Sequence, residues 1–430
     1  MSSTPGEAGP KTSKSGFRAY WALVGLVLGL VLGSLAGHFP EGLRAAALGT
    51  ADFAGTLWLN ALKMTVIPLV VTLLVVGIAK SAEAAQAGRI AARAVLWIVI
   101  ICTVSAIFGA LVTLALTHAF PLARSTAAGL QAALGAVEHK TSGPLPGIGE
   151  FFKNVIPSNV IAAAANGDVL PLVIFALLFG LALMRIGEGG RRTVVALFEG
   201  VADALLVIIR WVLWVAPAGV LALAFVVGTE AGGAAFAGLG HYIVIVSAVG
   251  ILWTIVGGYP LAILVGRVRA GLFAKAMIGP QAVAISTRSS LASLPAMLTA
   301  AQMIGIRPRV ADVTLPLSVA LLRSTGPAMN VAVAFYVAHW LGLHPSLTQM
   351  IAATAVGAVM SYGAVSLPGE ITYISSIAPI ALALGVPIAP LGLLVAVEMV
   401  PDIFRTVGNV TMDVALAAVV NRSPEPASES

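Results

Sequence analysis

Charge is scarce in this chain. Asp, Glu, Lys and Arg make up only 10% of its 430 residues, where a soluble domain carries roughly 25%. Cysteine is scarcer still: a single thiol, Cys102, excludes an internal disulfide and a cysteine-rich metal site. His118, His139, His241, His339 and His344 show no ligand spacing and read as loop or interface residues. A phosphate-binding loop, a nucleophile motif and a metalloenzyme signature are all missing, so nothing points to an enzyme. What fills the chain is apolar: 59% hydrophobic residues and a mean hydropathy of +1.00. This is the composition of an all-α polytopic membrane protein, long enough for one integrated bundle.

Apolar runs predict spans near Trp21–Gly37, Leu57–Ile78, Ala94–Leu116, Val169–Met184, Val194–Val227 and Tyr242–Val265. Lys and Arg crowd one set of connections, among them Lys11, Arg18, Lys80, Arg93, Arg185, Arg192, Arg267 and Lys275. The other set holds only Arg44, Arg124, Lys140 and Lys153. The bias predicts cytoplasmic N- and C-termini, and it makes the basic charge a topology signal rather than a nucleic-acid patch. The expected organisation is a disordered cytoplasmic tail over 1–16, spans one to three over 17–118, and an extracytoplasmic loop over 119–154. Spans four to six follow over 155–270, then a core of broken segments over 271–421 and a cytoplasmic tail over 422–430. The first tail lacks the apolar core of a signal peptide.

Beyond residue 270 simple helix counting fails. Leu272–Met303 is interrupted over Ser286–Pro295, and Leu347–Ala383 over Ser361–Gly369; both breaks end in Ser-Leu-Pro. Each could be a plain loop between two helices. The flanks, however, fall short of the ~20 residues a span needs, which favours re-entrant hairpins with their tips at mid-membrane. A full span follows each, over Val313–Leu341 and Ile388–Val420. Irregular backbone at that depth must line a cavity or be buried in protein. Paired interrupted segments in opposite orientation are the sequence mark of a transporter's binding site.

The last span carries the most informative residues. Glu398, Asp402, Arg405, Asn409 and Asp413 recur at steps of four, three, four and four, which puts them on one helical face. Charge inside a membrane is costly and faces a cavity or a bundle interior, where it marks a substrate or ion path. A guanidinium forks onto a carboxylate with two parallel hydrogen bonds. Asp402, one turn away, supplies the opposite charge for an amine. The plain alternative is an Asp402–Arg405 pair that only stabilises the bundle. In the fifth span Glu199, Asp203 and Arg210 lie near one face and read as structural pairing.

With these residues in view, the chain resembles the dicarboxylate/amino acid:cation symporters, the glutamate and aspartate transporters, over nearly its whole length after residue 17. The resemblance rests on Lys63-Met-Thr-Val-Ile-Pro68, Phe152-Lys153-Asn154-Val-Ile-Pro157, Ala216-Pro217-Ala-Gly219 and Thr287-Arg288-Ser289-Ser290. It rests above all on the stripe Asp402, Arg405, Thr406, Asn409, Asp413. It implies eight transmembrane helices plus two re-entrant hairpins, inverted repeats, an elevator-type transport domain over 271–421, and a homotrimer in a bacterial-type inner membrane. It implies a substrate site at Arg288, Ser290, Gly326, Leu367, Asp402, Arg405, Thr406 and Asn409. Asp402 would take the substrate ammonium and Arg405 its distal carboxylate. Asn409 and Asp413 would hold Na⁺, and no other cofactor is expected.

The chain also departs from that pattern. The resemblance places a sodium-binding Asn-Met-Asp-Gly-Thr on Leu322-Arg323-Ser324-Thr325-Gly326, and further cation ligands on Ile98, Ile101 and Cys102. Na⁺ wants hard oxygen donors, which these side chains lack. Arg323 either brings a fixed charge beside Asp413 or the substrate, or pairs with Glu398 or Glu370 for packing. If it engages Asp402, two arginines would favour a dianionic substrate. Arg323, Glu370 and Glu398 are the coupling candidates; Glu370 either carries a proton or is merely solvated. The expected function is a symporter of acidic amino acids or C4-dicarboxylates with reduced sodium coupling. The alternatives are a proton-coupled or uncoupled exchanger, or a non-transporting sensor.

Overall fold

The computed structural model describes residues 14–86, 88–123, 125–128, 156–362 and 369–422, all helical or irregular with no strand among them. Residues 1–13 and 423–430 of the two expected tails and most of the 119–154 loop lie outside the described residues, while 14–16, expected in the disordered tail, are helical.

The helices in chain order are α1 (Lys14–Leu35), α2 (Glu41–Gln86), α3 (Arg89–Ala119), α4 (Val160–Asn166), α5 (Val169–Leu183), α6 (Glu188–Trp214), α7 (Ala216–Ala231) and α8 (Gly233–Trp253). Two π-helical turns, Thr254–Gly258 and Leu261–Val265, extend α8. Then come α9 (Ala270–Thr287), α10 (Ser290–Met303), α11 (Pro308–Leu321), α12 (Thr325–Trp340), α13 (Leu347–Tyr362), α14 (Gly369–Leu384), α15 (Ala389–Leu394) and α16 (Met399–Asn421). Among the described residues five helices are long and apolar enough to cross a membrane, or six if the bent pair α6–α7 is one span.

Three expected spans are broken. The one over Val194–Val227 bends by 59° between α6 and α7. The one over Val313–Leu341 opens at Leu322–Ser324, between α11 and α12. The one over Ile388–Val420 passes through a turn at Val395–Glu398, between α15 and α16. Pro217, Pro327 and Pro401 each lie within four residues after these breaks. A proline cannot donate to the carbonyl four residues back and its ring crowds that carbonyl, so the helix restarts just before it.

The first hairpin turns more tightly than the interruption over Ser286–Pro295 suggested. Only Arg288 and Ser289 separate α9 from α10, and Pro295 lies within α10. Arg288 adopts the left-handed conformation, φ 50°, and the Ser289 side chain caps α10 by accepting from Ala292 N at 3.2 Å. In the second hairpin α13 packs on α14, while the tip over 363–368 lies outside the described residues.

Two apolar cores meet at α12. One gathers α1, α2, α5, α7, α8, α13, α14 and α15. The other gathers α3, α9, α10, α11 and the second half of α16. Close approach of α1 to α7 depends on Gly25, Gly29 and Gly33, where a Cβ would run into the backbone carbonyls of Pro217, Leu221 and Phe225. Helix α16 is the central rod, packed by α3, α8, α9, α10, α11, α12 and α14. The polar stripe is thereby buried in protein rather than turned toward lipid.

Candidate anion site around helix α16

Glu398, Asp402 and Arg405 are 1%, 7% and 8% exposed. Glu398 stands at the N-cap, with helical dihedrals that keep it on the stripe. Its Oε1 lies 2.6 Å from Arg405 Nη1. The same nitrogen lies 3.8 Å from Asp402 Oδ1, a loose contact. From the first hairpin's tip, Arg288 Nη1 reaches Asp402 Oδ2 at 3.9 Å. Arg323, in the break between α11 and α12, has Asp402 and Arg405 within electrostatic range. Two carboxylates and three guanidiniums thus converge from α16, the hairpin tip and the broken helix.

Arg405 uses only part of its fork. Its Nε and Nη2 are buried and make no hydrogen bond among the described residues. A buried donor left unsatisfied costs about 1–3 kcal/mol, so this edge is suited to a carboxylate from outside the chain. Among the described residues Asp402 has its ion-pair contacts at 3.8 and 3.9 Å and can still accept from an ammonium.

The expected residues are partly brought together. Arg288, Asp402 and Arg405 form the cluster, joined by Arg323 and Glu398. Thr406 lies one turn from Asp402 and donates to its backbone carbonyl at 2.9 Å. Asn409 Oδ1 accepts from Thr325 N at 2.9 Å and anchors the start of α12. Ser290 begins α10, two residues from Arg288. An added Cβ at Gly326 would meet only the Arg323 Cβ, at 3.5 Å, which leaves room beside the cluster. Leu367 and the Glu370 side chain lie outside the described residues.

Asp413 stands apart. It is fully buried, and among the described residues neither carboxylate oxygen has a hydrogen-bond partner. The Cys102 thiol lies within its electrostatic range, while Arg323 has Asp402 and Arg405 as its electrostatic neighbours among the described residues. Among the described residues Arg323 is thus grouped with the anion cluster. A buried carboxylate without a partner fits a bound cation or a proton. Ile98, Ile101, Cys102 and Leu322 are buried as well and offer no hard oxygen to share a metal.

Several residues of the site carry no motif. Tyr242 of α8 and Tyr373 of α14 share a hydrogen bond of 2.9 Å, and both lie within electrostatic range of Glu398 and Arg405. Ser105 of α3 donates to the Ser324 carbonyl and accepts from Ala328 N at 3.1 Å. It thereby serves two backbone groups that the break in α11–α12 leaves without helical partners. The one signal was a polar group inside an apolar span. In the fifth span Glu199 pairs with Lys80 of α2 at 2.7 Å, and His241 joins Tyr336 Oη to the Phe120 carbonyl at 2.7 and 2.9 Å. Both are interface roles.

The model of the sodium:dicarboxylate symporter family matches residues 19–423. The chain belongs to that family. Among its relatives, the proton/sodium-glutamate symport protein of Bacillus subtilis (strain 168) is 30% identical over 409 residues, covering 92% of this chain and 90% of that protein. The proton/glutamate-aspartate symporter of Escherichia coli (strain K12) is 26% identical over 411 residues, covering 94% and 91%. The C4-dicarboxylate transport protein of Rhodopseudomonas palustris (strain BisB5) is 28% identical over 358 residues, covering 81% and 75%. The sodium:dicarboxylate symporters are membrane transporters rather than enzymes. The cluster at Arg405 is accordingly a candidate for the place where an anionic solute is held.

Proposed function

We propose that the chain is a symporter of an acidic amino acid or a C4-dicarboxylate, driven by Na⁺ or H⁺ with weaker sodium dependence than the family pattern. The observation that carries this reading is the Nε/Nη2 edge of Arg405, buried beside Asp402 and without a hydrogen bond among the described residues. The distal carboxylate of the substrate docks on that edge as a fork. Asp402 accepts from the substrate ammonium, and Thr406, Asn409 and Ser290 border the rest. In this reading the chain crosses the membrane eight times and adds two hairpins in inverted orientation. It assembles as a homotrimer in the inner membrane with cytoplasmic termini. The core over 271–421 moves as an elevator.

Reduced sodium dependence rests on the departures at Ile98, Ile101, Cys102, Leu322 and Ser324, together with the position of Arg323. A built-in guanidinium already supplies a positive charge beside Asp402 and Arg405. A cation can drive closure only by its differential affinity for the two states, and a permanent charge removes part of that differential. Asn409 and Asp413 remain the residues that would hold a cation, and Glu370 a candidate for a proton. The test is uptake of labelled aspartate, glutamate and succinate into proteoliposomes, with and without Na⁺ and a pH gradient. Uptake of one anion that persists without Na⁺ supports the reading. Uptake driven by pH alone would make the chain a proton-coupled carrier, and no uptake of any anion under any gradient would contradict transport.

A further inference from the structure

We propose that the cleft between α3 and the π-helical end of α8 is a site for an anionic phospholipid. The acyl chain lies in the cleft, and the phosphate meets the arginines at its basic end. The inference uses only the membrane nature of the chain and is separate from the identity of the substrate and the coupling ion. The cleft encloses about 350 Å³. Trp97, Ile101 and Phe108 of α3 line one wall, Trp253 and Leu264 the other, and Met412 of α16 borders it; all of its lining is apolar or glycine. At one end the rings of Phe108 and Trp253 approach to 5.2 Å. The second wall is built on the two π turns, Thr254–Gly258 and Leu261–Val265. Such turns are rare and occur frequently at functional sites.

Charge at the other end names the occupant. Phe108 meets Trp253, so the walls run antiparallel, and the start of α3 and the end of α8 fall together. On α3, Arg93 lies one turn before Trp97 on the same face, with Arg89 a turn further back. Past the π turns the chain continues through Arg267 and Arg269. All four arginines are exposed. Neither α3 nor the stretch 233–311 contains an Asp or Glu, so nothing along the walls offsets this charge. Arg267 is held at φ 53°, a strained backbone of the kind that persists at ligand clamps. From Trp97 to Phe108 the wall runs about 16 Å. That is half of the ~30 Å hydrocarbon core, the depth of one leaflet. Trp97 sits half-buried beside the basic end, where amphipathic rings rest against headgroups. A basic pocket between membrane helices binds anionic headgroups, each basic residue contributing about fivefold.

The test is quenching of tryptophan fluorescence in the full chain, reconstituted in bilayers of phosphatidylcholine and phosphatidylglycerol with bromine on the acyl chains of one lipid at a time. The Trp97 signal is the difference between wild type and Trp97→Phe. The signal of Trp214, exposed on α6, is taken in the same way from Trp214→Phe and reports the general lipid annulus. Phosphatidylglycerol should be preferred about tenfold or more at Trp97 and about twofold or less at Trp214. Arg93→Gln combined with Arg267→Gln should lower the Trp97 preference by about fivefold or more. Arg185→Gln combined with Arg192→Gln, in another connection of the same basic set, should leave it unchanged. Equal preference at the two tryptophans would overturn the proposal, and so would a Trp97 preference that survives loss of Arg93 and Arg267. Should that double variant fail to fold, the wild-type contrast between Trp97 and Trp214 decides. Inorganic phosphate should not displace the lipid; displacement would make this a site for the free anion and overturn the proposal.

Discussion

Arg405 sits between two acceptors and keeps two donors unsatisfied among the described residues, and this is the strongest single-residue sign of a ligand. Replacing it tests the site directly. Arg405→Cys should abolish uptake of acidic solutes, a loss of about 100-fold or more, while the purified protein keeps its helical circular dichroism and its elution position. Undiminished aspartate or dicarboxylate uptake would remove Arg405 from the site. Arg288 tests the hairpin tip. It holds a left-handed backbone, φ 50°, a conformation that costs a non-glycine residue about 1–2 kcal/mol. Arg288→Gly should therefore leave thermal stability equal or higher while weakening substrate binding, because it relieves the backbone and removes a charge facing Asp402. A drop in melting temperature with unchanged affinity would make Arg288 structural. At this scale the stripe was legible because five polar residues repeat with the helical period in an apolar run. Tyr242, Tyr373 and Ser105 were not. Each is one polar side chain without a periodic partner, and each gains its meaning from a contact more than a hundred positions away in sequence.

The elements set the limits of what a sequence can reveal. Existence of the helices followed from hydropathy, but their breaks did not. Pro217, Pro327 and Pro401 stand just after breaks, whereas Pro68, Pro280, Pro316 and Pro379 lie inside continuous helices. Whether a proline bends or breaks a helix depends on what else can satisfy the freed carbonyl. Ser105 does part of this at the α11–α12 break, where it holds the Ser324 carbonyl and the Ala328 amide. Ser105→Ala should cost about 1–3 kcal/mol of stability, read as a lower thermal midpoint, with Ser105→Thr losing less. An unchanged midpoint in Ser105→Ala would show that water serves the break as well. The α1–α7 seam makes a second test. Gly29 faces the Leu221 carbonyl without room for a Cβ, so Gly29→Leu should separate the two helices. The expected sign is a loss of thermal stability of about 1–3 kcal/mol or more, and retained stability would contradict the seam.

The whole molecule separates two kinds of buried charge. One cluster gathers five charged side chains from α16, the first hairpin and the broken α11–α12. The other is a lone carboxylate, Asp413, with an apolar wall of Ile98, Ile101 and Cys102 close by in α3. The family membership was legible from the Asp402–Asp413 motif, and so was the apolar character of Ile98, Ile101 and Leu322. The partner of Arg323 was not legible, since a residue in a helix break has no fixed face. The central claim is that this built-in charge lowers the need for Na⁺ at the substrate site. Equilibrium binding of labelled glutamate to the purified chain, titrated against Na⁺, measures it most directly, because linkage makes the slope of log affinity on log Na⁺ the number of ions bound with the substrate. The account predicts a slope of about one or less in wild type, and lost binding in Arg323→Met. A slope of about two or more would contradict it and would mean that backbone carbonyls rebuild the cation sites.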